Sequence, residues 1–461
     1  IAQWNKQKET IASESSALSY SHYKAAAQSP AIAETDAYMR SVPRRNGFGA
    51  KEAKNITDFM ILKKAGLFDV KKMRIIQLMT AWWNANNKFD GRAMMANAEK
   101  LCRAINQQFG SRKRHMAARA ALAKRVILDI MKQQVRQGCV ISNDAKSCYD
   151  RIVHSVAFLI MAHMGMAYTV LLSMFLPLQY AKHFVRTAWG VSKQHYSSNR
   201  EGTPFHGSGQ GNGAGPAIWA VISFVLIRIM MQGQQTANFP SALSNTVLSL
   251  VCLAFVDDTY LFLTAPTHDT THAEFLIFAQ AALNHWAGLL RATGGALVPN
   301  KSFWTWIDFQ WDGLHWQPLT QASMPGDVHV AQVDSTATEP LQRYDQGHSE
   351  ITLGVSTAPD GNSKGVARQL MTKITAFLAP LRSAKLERNE VWIALTTRIG
   401  KSLGYVMPAT TLNYTSWTTL MKRLLSATLP KAGMASNFPR AVIFGPLEHM
   451  GAGFMHPFYR Q

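Results

Sequence analysis

Leu248-Ser-Leu-Val-Cys-Leu-Ala-Phe-Val-Asp-Asp-Thr-Tyr-Leu-Phe-Leu263 places two apolar runs on either side of the chain's only Asp-Asp pair. Leu248–Val256 and Thr259–Leu263 read as strands, so the spacing predicts a hairpin with Asp257-Asp258 at its tip. Taken alone, Asp-Asp simply suits a tight turn. The pair gains meaning from a carboxylate far upstream. Val140 and Ile141 form a short β-branched run that ends at Asn143-Asp144 and is followed by a long apolar stretch, giving the order strand, acid, helix. Acids delivered from different strands to one point are what a pair of divalent ions about 4 Å apart requires in phosphoryl transfer.

The composition limits what such a site can serve. With 461 residues, 47% of them hydrophobic and 16% charged, the chain is long enough for two to four lobes and far too apolar for a disordered protein. A formal charge of +20 and a pI near 9.9 point to a polyanionic partner. The charge is uneven: residues 1–140 hold 25 Lys and Arg against 10 acids, 141–300 hold 8 against 7, and 361–461 hold 13 against 3. Two basic flanks therefore enclose a nearly neutral centre.

Four cysteines without Cys-x-x-Cys spacing give neither a disulfide framework nor a zinc knuckle, and a reducing, intracellular setting is expected, nuclear or cytoplasmic. The chain starts at Ile1 with no signal peptide, and is expected to be a piece of something longer. Ser155–Leu176, 22 residues without a charge, is long enough to suggest a membrane span. It reads instead as a buried helix covering a sheet, and no membrane partner is expected.

Other patterns need weighing. Gly207, Gly209, Gly211, Gly213 and Gly215 alternate without the Gly-x-Gly-x-x-Gly spacing of a dinucleotide fold, since positions 212 and 214 are Asn and Ala. Either a flexible connector or a loop whose bare backbone approaches a ligand fits them. Gly400-Lys401-Ser402 mimics the end of a phosphate-binding loop, but Leu395 occupies the position of the required glycine. The 15 histidines show no metal-ligand spacing. Trp304, Trp306, Trp311 and Trp316 suit either packing or stacking on a nucleic-acid strand.

Four segments occur in a telling order: Asp144-Ala-Lys-Ser-Cys-Tyr-Asp150, Gly207-Ser-Gly-Gln-Gly-Asn-Gly-Ala-Gly-Pro216, Phe255-Val-Asp-Asp258 and Gly294-Gly-Ala-Leu-Val-Pro-Asn-Lys-Ser302. They resemble polymerase motifs A to D of the reverse transcriptase domain of eukaryotic non-LTR-like retroelements. Phe109-Gly-Ser-Arg-Lys113 and Met73-Arg-Ile-Ile-Gln-Leu78 resemble fingers motifs, and Thr352-Leu-Gly-Val355 with Pro359-Asp-Gly-Asn362 the junction of palm and thumb. The resemblance spans roughly residues 60 to 461.

It implies an α+β right-hand polymerase with a ferredoxin-like antiparallel palm. Its parts would be an N-terminal extension 1–60, fingers 61–136, palm 137–360 with a fingers insertion at about 177–215, and a helical thumb 361–461. Asp144, Asp257 and Asp258 would be the catalytic acids and ligands of two Mg2+ ions, with Mn2+ as a substitute. Ala145, Tyr149, Gln210, Gly211, Lys301 and Arg74 would hold the nucleotide, Arg112 or Lys113 being other candidates for the triphosphate. Tyr149 would exclude a ribose 2′-hydroxyl; Lys301 would serve the leaving pyrophosphate; Asp150 would be structural or substrate-positioning. The implied partners are an RNA template, a DNA primer and deoxynucleoside triphosphates, in retroelement replication. An RNA-directed RNA polymerase and an inactive nucleic-acid-binding remnant are the alternatives. Tyr260 stands where an acid is expected after the Asp pair.

Overall fold

The computed structural model describes residues 2–9, 18–63, 66, 69, 73–146, 148–198, 205–332 and 337–461. At its centre lies a five-stranded sheet in the order Gln342–Tyr344, Phe303–Ile307, Gly138–Asn143, Asp258–Thr264, Cys252–Phe255. The last four, numbered along the chain, run 4-1-3-2 with every neighbour antiparallel. That is the split β-α-β arrangement of ferredoxin-like sheets, as expected for the central region. Gln342–Tyr344 adds a fifth strand, parallel to Phe303–Ile307.

The strand Gly138–Asn143 is buried along its whole length because both faces of the sheet are covered. Alternate residues serve opposite layers. Cys139, Ile141, Leu261, Leu263, Trp304 and Trp306 join the core beneath the helices Gly215–Gln232 and His272–Ala292. Val140, Leu253, Tyr260 and Phe262 meet Ile127, Leu128 and Met131 of the helix Ala117–Gln133 on the other side. Trp304 and Trp306 are therefore core side chains, with the Arg343 guanidinium over both rings. Trp311 and Trp316 are about half exposed.

Several sequence expectations need correcting. Ser155–Leu176 is not one helix: Gly165, at φ +93°, divides it into His154–His163 and Tyr168–Gln179. Among the described residues, the one helix long and apolar enough to cross a membrane is Gly215–Gln232, and it is mostly buried against its neighbours. The hairpin tip is Val256-Asp257, because Asp258 already pairs with Phe255. Val247–Leu250 turns away to pair with Ala237–Pro240. Met73–Leu78, one of the segments resembling a fingers motif, is a strand beside Asn55–Leu62, which begins within the proposed N-terminal extension. Asn55–Leu62 also pairs with Lys182–Thr187, so a second sheet is built from residues on both sides of the central strand.

The C-terminal region has its own apolar core, formed chiefly by Lys364–Ser383 and Tyr414–Thr428. Gly400-Lys401-Ser402 lies in the helix Gly400–Gly404 there. The helix Ala117–Gln133 joins this lobe to the sheet: Ala121 enters the C-terminal core, while Arg125 and Lys132 donate to the carbonyls of Gly361 and Asp360. Between them, Lys124 is buried, its Nζ 3.9 Å from the centre of the Tyr260 ring and 2.7 Å from Thr352 Oγ1. Burial pushes this amine down to about 7, opposed by the carboxylate of Glu350.

Since that value lies below the ordinary 10.5, the folded chain sheds a proton that the unfolded chain keeps at mildly basic pH. The buried amine then costs most at low pH, and stability is regained as pH rises from about 7 toward 10.5. Lys124→Met is expected to be more stable than the wild type at pH 6. Its advantage should shrink steadily between pH 7 and 10, measured by urea unfolding of both chains across that range.

Candidate functional site

Because Asn143 faces Thr259 across the ladder, Asp144 and the hairpin tip emerge at the same end of the central sheet. There a cavity of about 920 Å³ is lined by Asp144, Ala145, Cys148, Tyr149, Gln210, Gly211, Asp257, Lys301, Arg74 and Lys63, among others. All the residues expected to hold a nucleotide thus face one space. Lys63 had no distinguishing signal in the sequence. Ser147, part of the first motif, lies outside the described residues.

Asp144 is fixed by the segment after the last helix of the sheet. Its N–H donates to Ser302 Oγ at 3.1 Å, and its carbonyl accepts from Val298 N–H at 3.0 Å. Lys146 N–H reaches the Ala296 carbonyl, and Arg151 Nε the Gly294 carbonyl. Gly294 sits at φ +91° so close to Arg151 that a Cβ would lie 2.0 Å from its carbonyl oxygen. The fourth motif is therefore laid alongside the first, which brings Lys301 Nζ to 2.9 Å from Asp144 Oδ2.

Asp257 is held differently. It follows Val256, whose φ of +60° is unusual for a β-branched residue. Its carboxyl is pushed upward chiefly by burial and further by Asp144, while the Cys148 thiol and Lys301 oppose the shift. Asp258 is shifted upward by partial desolvation where the protein packs around it, then by Asp257 and Asp144. Asp258 is exposed and is not among the residues lining the cavity, so it flanks the site. Among the described residues, no three His, Cys, Asp or Glu side chains gather closely enough to hold a metal ion together. Asp144 and Asp257 nevertheless fit a cation as a pair, since the charge of Asp144 disfavours that of Asp257 and Lys301 already meets Asp144 with a positive group.

The glycine loop is braced from both sides and is no flexible connector. Gln77 N–H donates to the Gln210 carbonyl at 2.6 Å, and Ser208 N–H to the Tyr149 carbonyl at 2.6 Å. Asn84 closes it further, donating to the Gly211 carbonyl and accepting from Gly213 N–H. A Cβ on Gly211, at φ +134°, would lie 2.2 Å from the Gln77 carbonyl oxygen. Gln210 Nε2 donates to Asp150 Oδ2 at 3.2 Å, so Asp150 anchors the loop from below.

The Tyr149 ring packs near the start of the helix Gly215–Gln232, 3.5 Å from where a Cβ on Gly215 would stand. Arg112 is not available for a phosphate: it is buried, paired in bidentate fashion with Glu99, and bonded to the carbonyls of Ile105 and Gln108. Arg74 is exposed on its strand and faces the cavity.

No family model matches the chain, and no curated protein matches it. Among solved structures, the telomerase of Candida albicans, determined in complex with a fragment of telomeric RNA, matches at 11% identity and a TM-score of 0.39. The match covers 93% of this chain and 66% of the telomerase chain, and a likeness at that level assigns neither family nor activity.

A carboxyl whose folded pKa is raised lends stability below its unfolded value, and that stability is lost as pH climbs through the folded value. Asp257→Asn is therefore expected to raise the unfolding midpoint of the metal-free chain at pH 7.5. The gain should fade toward about pH 3.5, where both carboxyl and amide are neutral; thermal unfolding in EDTA across that range measures it.

Proposed function

We propose that this chain is a template-directed nucleotidyltransferase, an RNA-directed DNA polymerase of the reverse transcriptase kind. The observation that carries the proposal is the shared cavity: residues from four separate stretches of sequence, Asp144 with Tyr149, Gln210 with Gly211, Asp257, and Lys301, line one space at the end of a 4-1-3-2 sheet. Their resemblance to ordered polymerase motifs and their convergence are independent facts, and both suit the same reaction. In this reading the ferredoxin-like sheet is the palm, the sheet carrying Arg74 belongs to the fingers, and the C-terminal helical lobe is the thumb. The charge of +20 serves an RNA template and a DNA primer through their phosphates.

The residues have distinct tasks. Asp144 and Asp257 would hold Mg2+, with Asp258 beside them. Two such ions, when bound, lower the pKa of a primer 3′-hydroxyl and neutralise charge on the leaving pyrophosphate. The rigid Gln210-Gly211 backbone offers a surface for the incoming nucleotide, and Arg74 and Lys63 face its triphosphate. Lys301 is well exposed and long enough to turn from Asp144 to a phosphate oxygen, where it can give up a proton. The Tyr149 ring lies against the sugar and selects deoxynucleotides.

Extension of a DNA primer on an RNA template tests the proposal. Asp257→Asn should lower the rate at least about a thousand-fold, ~4 kcal/mol of barrier, with primer-template affinity within about threefold of wild type. Equal losses of binding and rate would contradict the metal-holding role. Tyr149→Ala should raise ribonucleotide incorporation relative to deoxynucleotide; equal use of both by the wild type would favour an RNA polymerase.

A further inference from the structure

The tip of the Asp257 hairpin is built on a residue ill suited to it. Phe255 pairs with Asp258, leaving Val256 and Asp257 as a two-residue turn. Such turns favour glycine wherever φ is positive, yet Val256 holds φ +60°. Something outside the hairpin must keep it there, and the contacts converge on one side chain.

Gln108 is fully buried. Its Oε1 accepts from Val256 N–H at 3.1 Å and from Gly110 N–H at 2.7 Å. Its Nε2 donates to the Val256 carbonyl at 3.3 Å and to Ser223 Oγ at 2.9 Å. Ser223 gives its own proton to the Ala220 carbonyl, so it can only accept from Gln108. Two backbone N–H groups facing one atom fix which end of the amide is oxygen, and both donors and both lone pairs are used. Trp219 Nε1 adds a second donor to the Val256 carbonyl at 2.6 Å.

Backbone geometry draws Gln108 this close. Phe109 N–H donates to the Ala254 carbonyl and Ala254 N–H to that of Gln107, so residues 107–109 run along the outer edge of the strand Cys252–Phe255. Gly110 then passes so near the turn that a Cβ would stand 2.2 Å from Val256 N. Gln107 Oε1 meanwhile accepts from Val251 and Cys252 N–H.

We propose that Gln108 is a positioning residue for the candidate site: by gripping both the N–H and the carbonyl of Val256, it holds the turn that aims Asp257 at Asp144, and so sets the site's affinity for a divalent cation. This rests on the nucleotidyltransferase reading for its purpose but not for its test. Gln108 touches neither the cavity nor any group that would react.

The test uses Gln108→Met, which keeps length and loses all four bonds, with and without Val256→Gly, since glycine adopts positive φ unaided. Mn2+ alone is titrated into each full chain, and backbone amide exchange is followed at residues 252–260. In Gln108→Met, Mn2+ affinity should fall at least about tenfold and the Val256 and Asp257 amides should exchange at least about a hundredfold faster. Val256→Gly in that background should return the affinity to within about threefold of wild type, a rescue that a packing role would not give.

If Gln108→Met does not fold, Trp219→Phe, which removes only the second donor, should weaken Mn2+ binding about threefold, again recovered by Val256→Gly. Unchanged affinity and exchange, or a loss the glycine leaves unrepaired, overturns the proposal. So does a wild-type chain that binds no Mn2+. A wild-type chain that binds Mn2+ but extends no primer defeats the polymerase reading alone, and the titrations still decide the role of Gln108.

Discussion

Asp144 and Asp257, two carboxylates of like charge, are kept partly out of water in one pocket, and much of the surrounding structure exists to keep them there. Burial alone disfavours the charge of Asp257, and Asp144 adds to the penalty. A flexible site would relax by swinging one acid into solvent. Here that route is narrowed, because Asp144 directly follows a fully buried strand and is tied through its own backbone to Val298 and Ser302. Lys301 supplies partial relief as an internal counter-charge, yet its exposure makes the pair weak and exchangeable.

The other acid follows a residue in an unusual backbone conformation, where the first is anchored by its own backbone bonds. A β-branched residue at positive φ costs on the order of 1–3 kcal/mol, and the native packing around Val256 must offset it. The segment 107–110 does so while also covering an edge of the central sheet, where open backbone groups would otherwise invite pairing with another chain. One short stretch thus protects the edge of the sheet and disciplines the turn at its end.

Much of the site was legible in the sequence because its chemistry needs particular residue types at particular separations. The acids, the glycine run and Lys301 stand out through the resemblance of four ordered segments to polymerase motifs, and the same resemblance implies the ferredoxin-like order of the central sheet. What escaped was set by tertiary contact. Asp257-Asp258 reads as the hairpin tip because nothing local shows that Val256 will take a positive φ, where Gln108 and Trp219 bond its N–H and carbonyl. Ser155–Leu176 read as one helix since hydrophobicity is continuous across Gly165, and its break appears only in the fold. Arg112 offers a cation in the sequence, and nothing local shows that Glu99, thirteen residues earlier, pairs with it. Gln108, next to a segment already singled out, is an ordinary amide in sequence and becomes informative only through its four partners.

The glycine loop behaves as a strut. It is bonded to Gln77 of the N-terminal sheet above and to Tyr149 and Asp150 below, and its glycines let the three backbones lie in contact with no compressible side chain between them. Any rocking of that sheet would be transmitted through the loop to the base of the cavity with little loss, so the two would move as one body.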